Sequence, residues 1–328
     1  MNLQKTETGK FIIKLDATAF ARSVCFRKFW LSTIDGYRPA LWPIDIEFGN
    51  SFHIFSKELE ISNGDLIKSI IPAQKYFQET PMLSKGLSKS FLNVEYLTEV
   101  CTKYFNEVYH NDPFVTFRYE GKAFVEMNFA IPIETTELAE YVLCGTIDRI
   151  GTVGKQGPLA FLDYKSTGKY AKSATEYFAR YLFNTQIITY AFALTHIVNH
   201  FPDHPLAILK AYIPCAFIQG IFIPSGSTIE FKRSNMIQPT LTQLDMWREE
   251  LYKLIHKIDA ALKEIKNLDG YYVPAEGLFS GACIQGFTPC EYHGSCCAPD
   301  PRASEWILKN NFLSTSYNPL RFNDKNKT

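Results

Sequence analysis

The chain has 328 residues, and its 34 Lys and Arg residues balance 34 Asp and Glu residues, so the formal net charge at pH 7 is zero. Hydrophobic residues at 46% and charged residues at 21% exclude a disordered chain and are typical of a folded globular protein. The charge balance also excludes a uniformly basic surface, so a nucleic acid would have to bind in a local basic groove.

Neither membrane insertion nor secretion is indicated. No apolar run approaches the roughly 18 residues that a transmembrane helix needs. The first five residues, Met1-Asn2-Leu3-Gln4-Lys5, lack the basic and apolar segments of a secretory signal. We therefore expect a cytoplasmic protein with no membrane partner.

The predicted elements begin with helices and continue with strands. Apolar spacing predicts a largely helical region over 14–115. A period of two then predicts an antiparallel meander of three strands, over 124–131, 142–150 and 159–164. The elements predicted downstream are a helix over 174–198, strands over 207–213, 217–223 and 228–232, and a long helix over 240–267.

This order predicts an α/β fold in a single domain that spans residues 1–328. Within it, we expect the helical region over 14–115, a core that carries the sheet over 116–235, and a long helix with a Cys-rich loop over 236–310.

Two of the predicted strands carry carboxylates at their polar ends. Asp148 follows Gly145-Thr146-Ile147, and Asp163 begins the segment Asp163-Tyr164-Lys165-Ser166-Thr167. Because adjacent strands lie about 4.8 Å apart, the two acids can share one hard cation, with the Tyr164 carbonyl as a further oxygen ligand. Strand alternation places Lys165 on the face of Asp163, where an ammonium group can orient a nucleophile and offset charge on a phosphate. The pattern predicts phosphodiester cleavage, although strand ends also carry such residues as solvated or salt-bridged pairs.

These two motifs resemble the central motifs of the PD-(D/E)XK nucleases. The resemblance is closest to the RecB-like branch, which includes the CRISPR-associated adaptation nucleases and many phage nucleases. That branch also has Gly-x-x-x-His in an upstream helix and Gln-x-x-x-Tyr on the helix after the lysine strand. The segments 49–53 and 186–190 fit these two patterns in the expected order. The resemblance implies a restriction-endonuclease-like core, in which helices flank a central mixed sheet.

The resemblance also implies a set of site residues. The expected metal ligands for Mg²⁺ or Mn²⁺ are His53, Asp148, Asp163 and Tyr164, and the imidazole nitrogen suits Mn²⁺ somewhat better. The expected catalytic residues are Asp148, Asp163, Lys165, Gln186 and Tyr190. Gln186 and Tyr190 are four residues apart, so one helical face would present both to the strand ends or to the scissile phosphate.

Glu126 lies on the first strand of the predicted meander. The family often has an acid near this point, which could support the metal ligands. Strand alternation favours the other interpretation, a side chain that faces solvent.

Eight cysteines are unusual for a chain expected in a reducing compartment, and four of them lie between 283 and 297. Such clustering indicates a metal site or an iron–sulfur cluster. The segment that begins at Cys25 resembles one in members of the RecB-like branch that bind a [4Fe–4S] cluster through one early and three late cysteines. The resemblance implies a clasp between the two ends of the chain, with the ligands Cys25, Cys283, Cys290 and Cys296. Cys297 is the alternative to Cys296, and Zn²⁺ is the alternative to the cluster.

Basic and aromatic residues follow the lysine strand, namely Lys169, Lys172 and Arg180 with Tyr170, Tyr177 and Tyr181. Such a run is usually a solvated face, but rings and cations together could also hold a nucleic-acid strand.

Taken together, the motifs predict a metal-dependent DNA nuclease, with an exonuclease favoured, acting in recombination, repair or processing on single strands or duplex ends. The alternatives are a catalytically inactive nuclease-fold module that binds DNA or assembles with other proteins, and a zinc-stapled structural protein. A separate helicase or recombination protein and a second copy of the chain are further candidate partners.

Overall fold

The structure is a computed structural model that describes residues 3–39, 43–80, 91–154, 157–209, 213–226, 228–267, 273, 283–285 and 288–320. The chain divides into two compact units. Unit 1 comprises Met1–Ala40, Asn128–Gly145 and Asp245–Thr328, and unit 2 comprises Leu41–Met127 and Thr146–Leu244. Each unit is described by itself.

The described residues form both strands and helices. In chain order, the strands are β1 (Gln4–Lys5), β2 (Phe11–Leu15), β3 (Tyr37–Pro39), β4 (Phe114–Thr116), β5 (Arg118–Tyr119), β6 (Lys122–Ala123), β7 (Val125–Thr135), β8 (Ala139–Val153), β9 (Leu159–Thr167), β10 (Cys215–Phe222), β11 (Glu230–Arg233), β12 (Ile284–Gln285), β13 (Thr288–Pro289) and β14 (Phe312–Ser314). The α-helices are α1 (Ala17–Arg22), α2 (Phe26–Phe29), α3 (Ile44–Ile61), α4 (Leu66–Glu79), α5 (Val94–Glu107), α6 (Ala174–Ala179), α7 (Thr185–His200), α8 (Leu241–Asn267), α9 (His293–Cys296) and α10 (Pro301–Asn311).

Unit 2 is built on a mixed sheet. The second half of β8 pairs antiparallel with β4 and with β9, β9 pairs parallel with β10, and β10 pairs antiparallel with β11. Strand β9 is buried continuously from Leu159 to Tyr164. Such a run is typical of a strand that is covered on both faces of its sheet.

Helices α3, α4 and α5 cover this sheet with an aromatic core. Phe48, Phe52, Phe55 and Leu59 are spaced by three or four residues on α3, and all four are buried. They share one cluster with buried residues of α4, α5, β9 and β10. Burying each such side chain stabilises the fold by about 1.5–3 kcal/mol, so this face of α3 is held firmly in place.

Unit 1 contains the first half of β8, which pairs in parallel with β2, while β2 pairs antiparallel with β1. A separate two-stranded sheet joins β3 to β14. Helix α1 starts at Asp16, whose Oδ1 accepts a hydrogen bond from the Ala19 amide at 2.6 Å. The side chains of α8 that belong to this unit bury an apolar face that includes Leu251, Ile255 and Ile258.

The α/β class, the mixed sheet and the flanking helices are confirmed. The three neighbouring strands of the predicted meander correspond to β7, β8 and β9, and the long helix predicted over 240–267 is α8. The region 14–115 is largely helical, but it also contains β3 and a π-helical turn over Trp30–Ile34. The loop expected around 81–89 lies outside the described residues.

Two predicted elements are wrong in part. The helix predicted over 174–198 is divided into α6 and α7, because the Asn184 side chain accepts a hydrogen bond from the Gln186 amide at 2.8 Å and starts a new helix. Instead of the strand predicted over 207–213, Pro205–Leu209 forms a 3-10 helix, and 210–212 lie outside the described residues. Here His204 Nδ1 accepts a hydrogen bond from the Leu206 amide at 3.2 Å, which favours a turn over an extended strand.

Candidate active site

Helix α3 presents His53 to the ends of the central strands. His53 is partly exposed and follows Phe52, which is anchored in the core. One turn earlier, a Cβ atom on Gly49 would lie 3.0 Å from Ser166 Oγ. The glycine therefore allows α3 to approach β9 closely, which gives a physical reason for the Gly-x-x-x-His spacing.

Strands β8 and β9 bring the two aspartates together. Their antiparallel pairing runs as far as Arg149 and Leu162, so the next residues along each strand are Asp148 and Asp163. Asp148 Oδ2 accepts a hydrogen bond from the Tyr164 amide at 2.8 Å, and it lies 3.3 Å from His53 Nδ1. Both carboxylates are buried.

Glu126 also reaches this point, and the interpretation of it as solvent-facing is wrong. Its Oε1 is buried 3.7 Å from His53 Nδ1 and accepts no hydrogen bond from the described residues. Its φ angle of 47° lies in the left-handed region, which non-glycine residues seldom adopt. Backbone strain of this kind is concentrated at functional sites, where the surrounding structure holds it in place.

His53, Glu126 and Asp148 form a group that fits a divalent cation. Each offers one ligand atom, and these atoms lie within 4.8 Å of one another. Burial and the charge of Asp148 raise the pKa of Glu126, so the two carboxylates repel each other where they meet. Burial lowers the pKa of His53, but the two carboxylates outweigh it and raise this pKa to about 10. A bound cation would compensate the same negative charge, and the donor set suits Mg²⁺ or Mn²⁺.

A second group, around Asp163, adjoins the first. Lys165 Nζ lies 2.9 and 2.7 Å from the two Asp163 oxygens. Gln186 Nε2 donates to Asp163 Oδ1 at 2.9 Å and to the Tyr190 hydroxyl at 3.0 Å. Burial raises the pKa of Asp163. The positive charge of Lys165 lowers this pKa, and the negative charge of Asp148 raises it. The structure thus places the four predicted catalytic residues of this group in one hydrogen-bonded network, next to Asp148.

The Tyr164 side chain points into the core of unit 2, where its hydroxyl lies 3.3 Å from that of Tyr104. The backbone of Tyr164 borders the site through its amide and Asp148. The ligand role of its carbonyl, and the ligand role of Asp163, stay predictions.

A buried ion network supports the site and was missed by sequence reasoning. Arg149 follows Asp148, and its guanidinium lies 2.9 Å from Glu60 Oε1 and 2.7 Å from Asp112 Oδ2. Arg233 reaches Asp112 from β11. Because Glu60 belongs to α3, the network joins the helix that carries His53 to the strand that carries Asp148. No local pattern in the sequence pairs these residues, which are far apart along the chain.

The cysteines of the proposed clasp all belong to unit 1, and Cys25, Cys283 and Cys296 lie near enough to interact electrostatically. Burial raises the pKa values of Cys283 and Cys296, and the nearby Cys25 raises both further. The Cys290 amide donates to the Cys283 carbonyl at 2.7 Å, and burial raises the pKa of Cys290 to about 11. Among the described residues, no three of these sulfur atoms lie within 4.8 Å of one another. Cys297 is exposed, with its sulfur 3.5 Å from His293 Nε2.

The other three cysteines match their sequence interpretation as core thiols. Cys101, Cys144 and Cys215 are buried, and burial raises the pKa of each thiol, as expected for inert core residues.

None of the helices that the structure describes is both long and apolar enough to cross a membrane.

Comparison with known proteins agrees with this geometry. No curated protein matches the chain. A family model of the PD-(D/E)XK nuclease superfamily matches residues 20–297, which include the whole site and most of the chain. The chain therefore belongs to the PD-(D/E)XK nuclease superfamily.

Proposed function

We propose that the protein is a metal-dependent DNA nuclease whose active site lies in unit 2. The observation that carries this proposal is the group of His53, Glu126 and Asp148, with Asp163 and Lys165 alongside. Family membership points to the same chemistry, because it suggests a metal-dependent phosphodiesterase.

In this proposal His53, Glu126, Asp148 and Asp163 hold the metal, with the Tyr164 carbonyl as a further ligand. A bound Mg²⁺ or Mn²⁺ would lower the pKa of a water molecule and neutralise charge on the phosphate. The buried Oε1 of Glu126 supports a ligand role, because it accepts no hydrogen bond from the described residues and the His53 ring, 3.7 Å away, compensates its charge only in part. Burying such an oxygen is costly unless a cation binds it.

The remaining residues orient the reactants. Lys165 carries a positive charge next to Asp163 and would stabilise the negative charge that develops on the phosphoryl oxygens. Gln186 holds Asp163 and Tyr190 together and would position the scissile phosphate. Attack of water on phosphorus forms one P–O bond and breaks the bond to the 3′ oxygen, which takes up a proton. The expected ends are a 5′-phosphate and a 3′-hydroxyl.

The resemblance to the RecB-like branch supports an exonuclease that acts in DNA recombination, repair or processing. It also supports a [4Fe–4S] cluster held by Cys25, Cys283, Cys290 and Cys296. Cys296 interacts electrostatically with Cys25 and Cys283, and Cys297 also interacts with Cys283, so Cys297 stays the alternative fourth ligand. A cluster would crosslink segments 258 residues apart, which could stabilise the fold by about 4–5 kcal/mol.

The cluster is tested by anaerobic purification, with iron, sulfide and zinc content measured together. The proposal predicts iron, sulfide and absorbance near roughly 400 nm in the parent and in Cys101→Ala, and their loss in Cys290→Ser. Zinc in place of iron and sulfide would establish the alternative metal instead.

The nuclease is tested by incubating end-labelled single-stranded and duplex DNA with Mn²⁺ or Mg²⁺. We expect cleavage by the parent, loss of at least about 100-fold in Glu126→Gln and Asp148→Asn, and full activity in Glu230→Gln. Glu230 is a matched control because it is an exposed glutamate on β11 of the same unit. An inactive parent with intact DNA binding would support the non-catalytic module, and release of single nucleotides from a labelled end would identify an exonuclease.

A further inference from the structure

Exposed aromatic and apolar side chains follow strand β9 along the chain. Phe183 is 79% exposed, Tyr170 is 51% exposed and Leu182 is 49% exposed. All three lie between β9, which carries Lys165, and α7, which carries Gln186. Large apolar side chains that are exposed in the segment next to a site commonly mark a binding surface. We call these three residues, together with the cations Lys169, Lys172 and Arg180, the 170–183 surface.

Buried partners hold this segment in a defined conformation. Tyr177 is buried against Phe222, with ring centroids 5.4 Å apart, and its hydroxyl accepts a hydrogen bond from Tyr181 at 3.3 Å. The Arg180 guanidinium lies 3.9 Å from the centroid of the Tyr177 ring. The exposed rings therefore project from an ordered base, which lowers the entropic cost of binding a ligand on them.

The same segment has an excess of positive charge. Lys169, Lys172 and Arg180 are exposed, and Glu176 is the one acid between 168 and 184. The chain as a whole is neutral, so this excess is local. Lys172 Nζ lies 5.6 Å from the centroid of the Tyr170 ring, so a cation and an aromatic face are presented together. An anionic ligand with flat apolar groups would match both features.

The segment that carries this surface adjoins the active site along the chain. Asn184, directly after Phe183, caps the helix whose Gln186 donates to Asp163. Because three residues span at most about 11 Å, Phe183 lies close to Gln186 along the chain. Tyr177 also lies near enough to Lys165 to affect its pKa electrostatically. A polymer bound near Phe183 would therefore lie within a few residues of the catalytic Gln186.

We propose that the 170–183 surface binds an unpaired DNA strand and directs it to the active site, with bases stacked on Phe183 and Tyr170 and phosphates near Lys169, Lys172 and Arg180. The inference rests on the proposed nuclease function for the direction of the strand. Unpaired bases are the matching ligand because their faces are free to stack, whereas a duplex presents mainly phosphates and groove edges. Removing one stacked ring should weaken binding roughly tenfold.

The test measures the binding of a fluorescent single-stranded oligonucleotide and of a blunt duplex in EDTA, so that cleavage does not interfere. We expect Phe183→Ala and Tyr170→Ala each to weaken single-strand binding about tenfold, and Phe183→Trp to restore it. Phe201→Ala is the matched control, because Phe201 is 47% exposed at the opposite end of α7, about 24 Å away along the 16-residue helix. The control and all duplex affinities should change less than about threefold.

The proposal is overturned if the parent fails to bind the single strand, if both ring variants bind it like the parent, or if the duplex loses as much affinity as the single strand. A parallel cleavage assay with Mn²⁺ separates this proposal from the nuclease function. If the parent does not cleave DNA but the ring variants bind the single strand more weakly than the parent, only the nuclease proposal is wrong. If both ring variants cleave and bind the single strand like an active parent, only the proposal for this surface is wrong.

Discussion

Arg149 lies directly after Asp148 on β8, and its guanidinium is held between two buried carboxylates, Glu60 and Asp112. Its side chain is 5% exposed, and those of Glu60 and Asp112 are 6% and 2% exposed. Replacing Arg149 by methionine keeps most of the side-chain volume but removes the positive charge. The two carboxylates would then lose a shared partner in a place that water barely reaches.

The magnitude follows from this geometry. Breaking a buried ion pair by removing one partner costs about 3–5 kcal/mol. In the variant, Asp112 would still pair with Arg233, and Glu60 would still lie 3.6 Å from Arg118. These remaining ion pairs compensate part of the free energy lost with the Arg149 charge. We expect Arg149→Met to lower the free energy of unfolding by about 4 kcal/mol, a large fraction of the 5–15 kcal/mol typical of a folded domain.

Urea unfolding followed by circular dichroism measures the effect. Lys232→Met is the matched control, because Lys232 is half-exposed in the same unit and pairs with Glu230 at 3.5 Å. We expect the control to change the free energy of unfolding by less than about 1 kcal/mol. Equal losses in the two variants would refute the view that the Arg149 network supports the strand and helix of the site.

Three further predictions concern catalysis, pH and packing. Lys165→Met should reduce cleavage by at least roughly 100-fold, and it should also lower the stability of the fold, because it removes the ammonium group that lies 2.7 Å from the buried Asp163 carboxylate. Circular dichroism checks that the variant is folded, and a cleavage rate near that of the parent would contradict the role of Lys165. Burial raises the pKa of Asp112, but its arginine partners outweigh the effect of burial, and the net pKa is lowered. The ionised carboxylate therefore stabilises the fold above about pH 4, and this stabilisation is lost as the pH falls through the pKa of the folded state. Unfolding at several pH values should show that the difference in stability between the parent and Asp112→Asn shrinks only at acid pH. A Cβ on Gly151 would lie 2.0 Å from the Val115 carbonyl oxygen, so Gly151→Ala should lower the free energy of unfolding by roughly 1–3 kcal/mol, whereas Gly168→Ala, whose Cβ meets no atom within 4 Å, should lower it by much less.

Local patterns predicted much of the site because its residues are tied to regular elements. Strand alternation placed Asp163 and Lys165 on one face, and helical spacing placed Gln186 beside Tyr190. The structure brings these four into one network. His53 was predicted from the resemblance, because the segment 49–53 fits the Gly-x-x-x-His pattern of the RecB-like branch. That spacing reflects the close approach of α3 to β9.

Glu126 shows why the rest could not be predicted. In a regular strand it would share the exposed face of Asn128 and Ala130. Its left-handed φ angle breaks the alternation and redirects the carboxylate toward His53, and no propensity of glutamate predicts such a backbone. The division between α6 and α7 was missed for a related reason, since the apolar spacing continues through the point at which Asn184 starts a new helix.

Binding of Mn²⁺, measured by calorimetry in the absence of DNA, tests the central claim most directly. We predict that the parent and Glu230→Gln bind the ion in unit 2 with similar affinity, and that His53→Ala and Glu126→Gln each weaken this binding by at least about tenfold. The same affinity in all four proteins would contradict the assignment of His53, Glu126 and Asp148 as the metal-binding group.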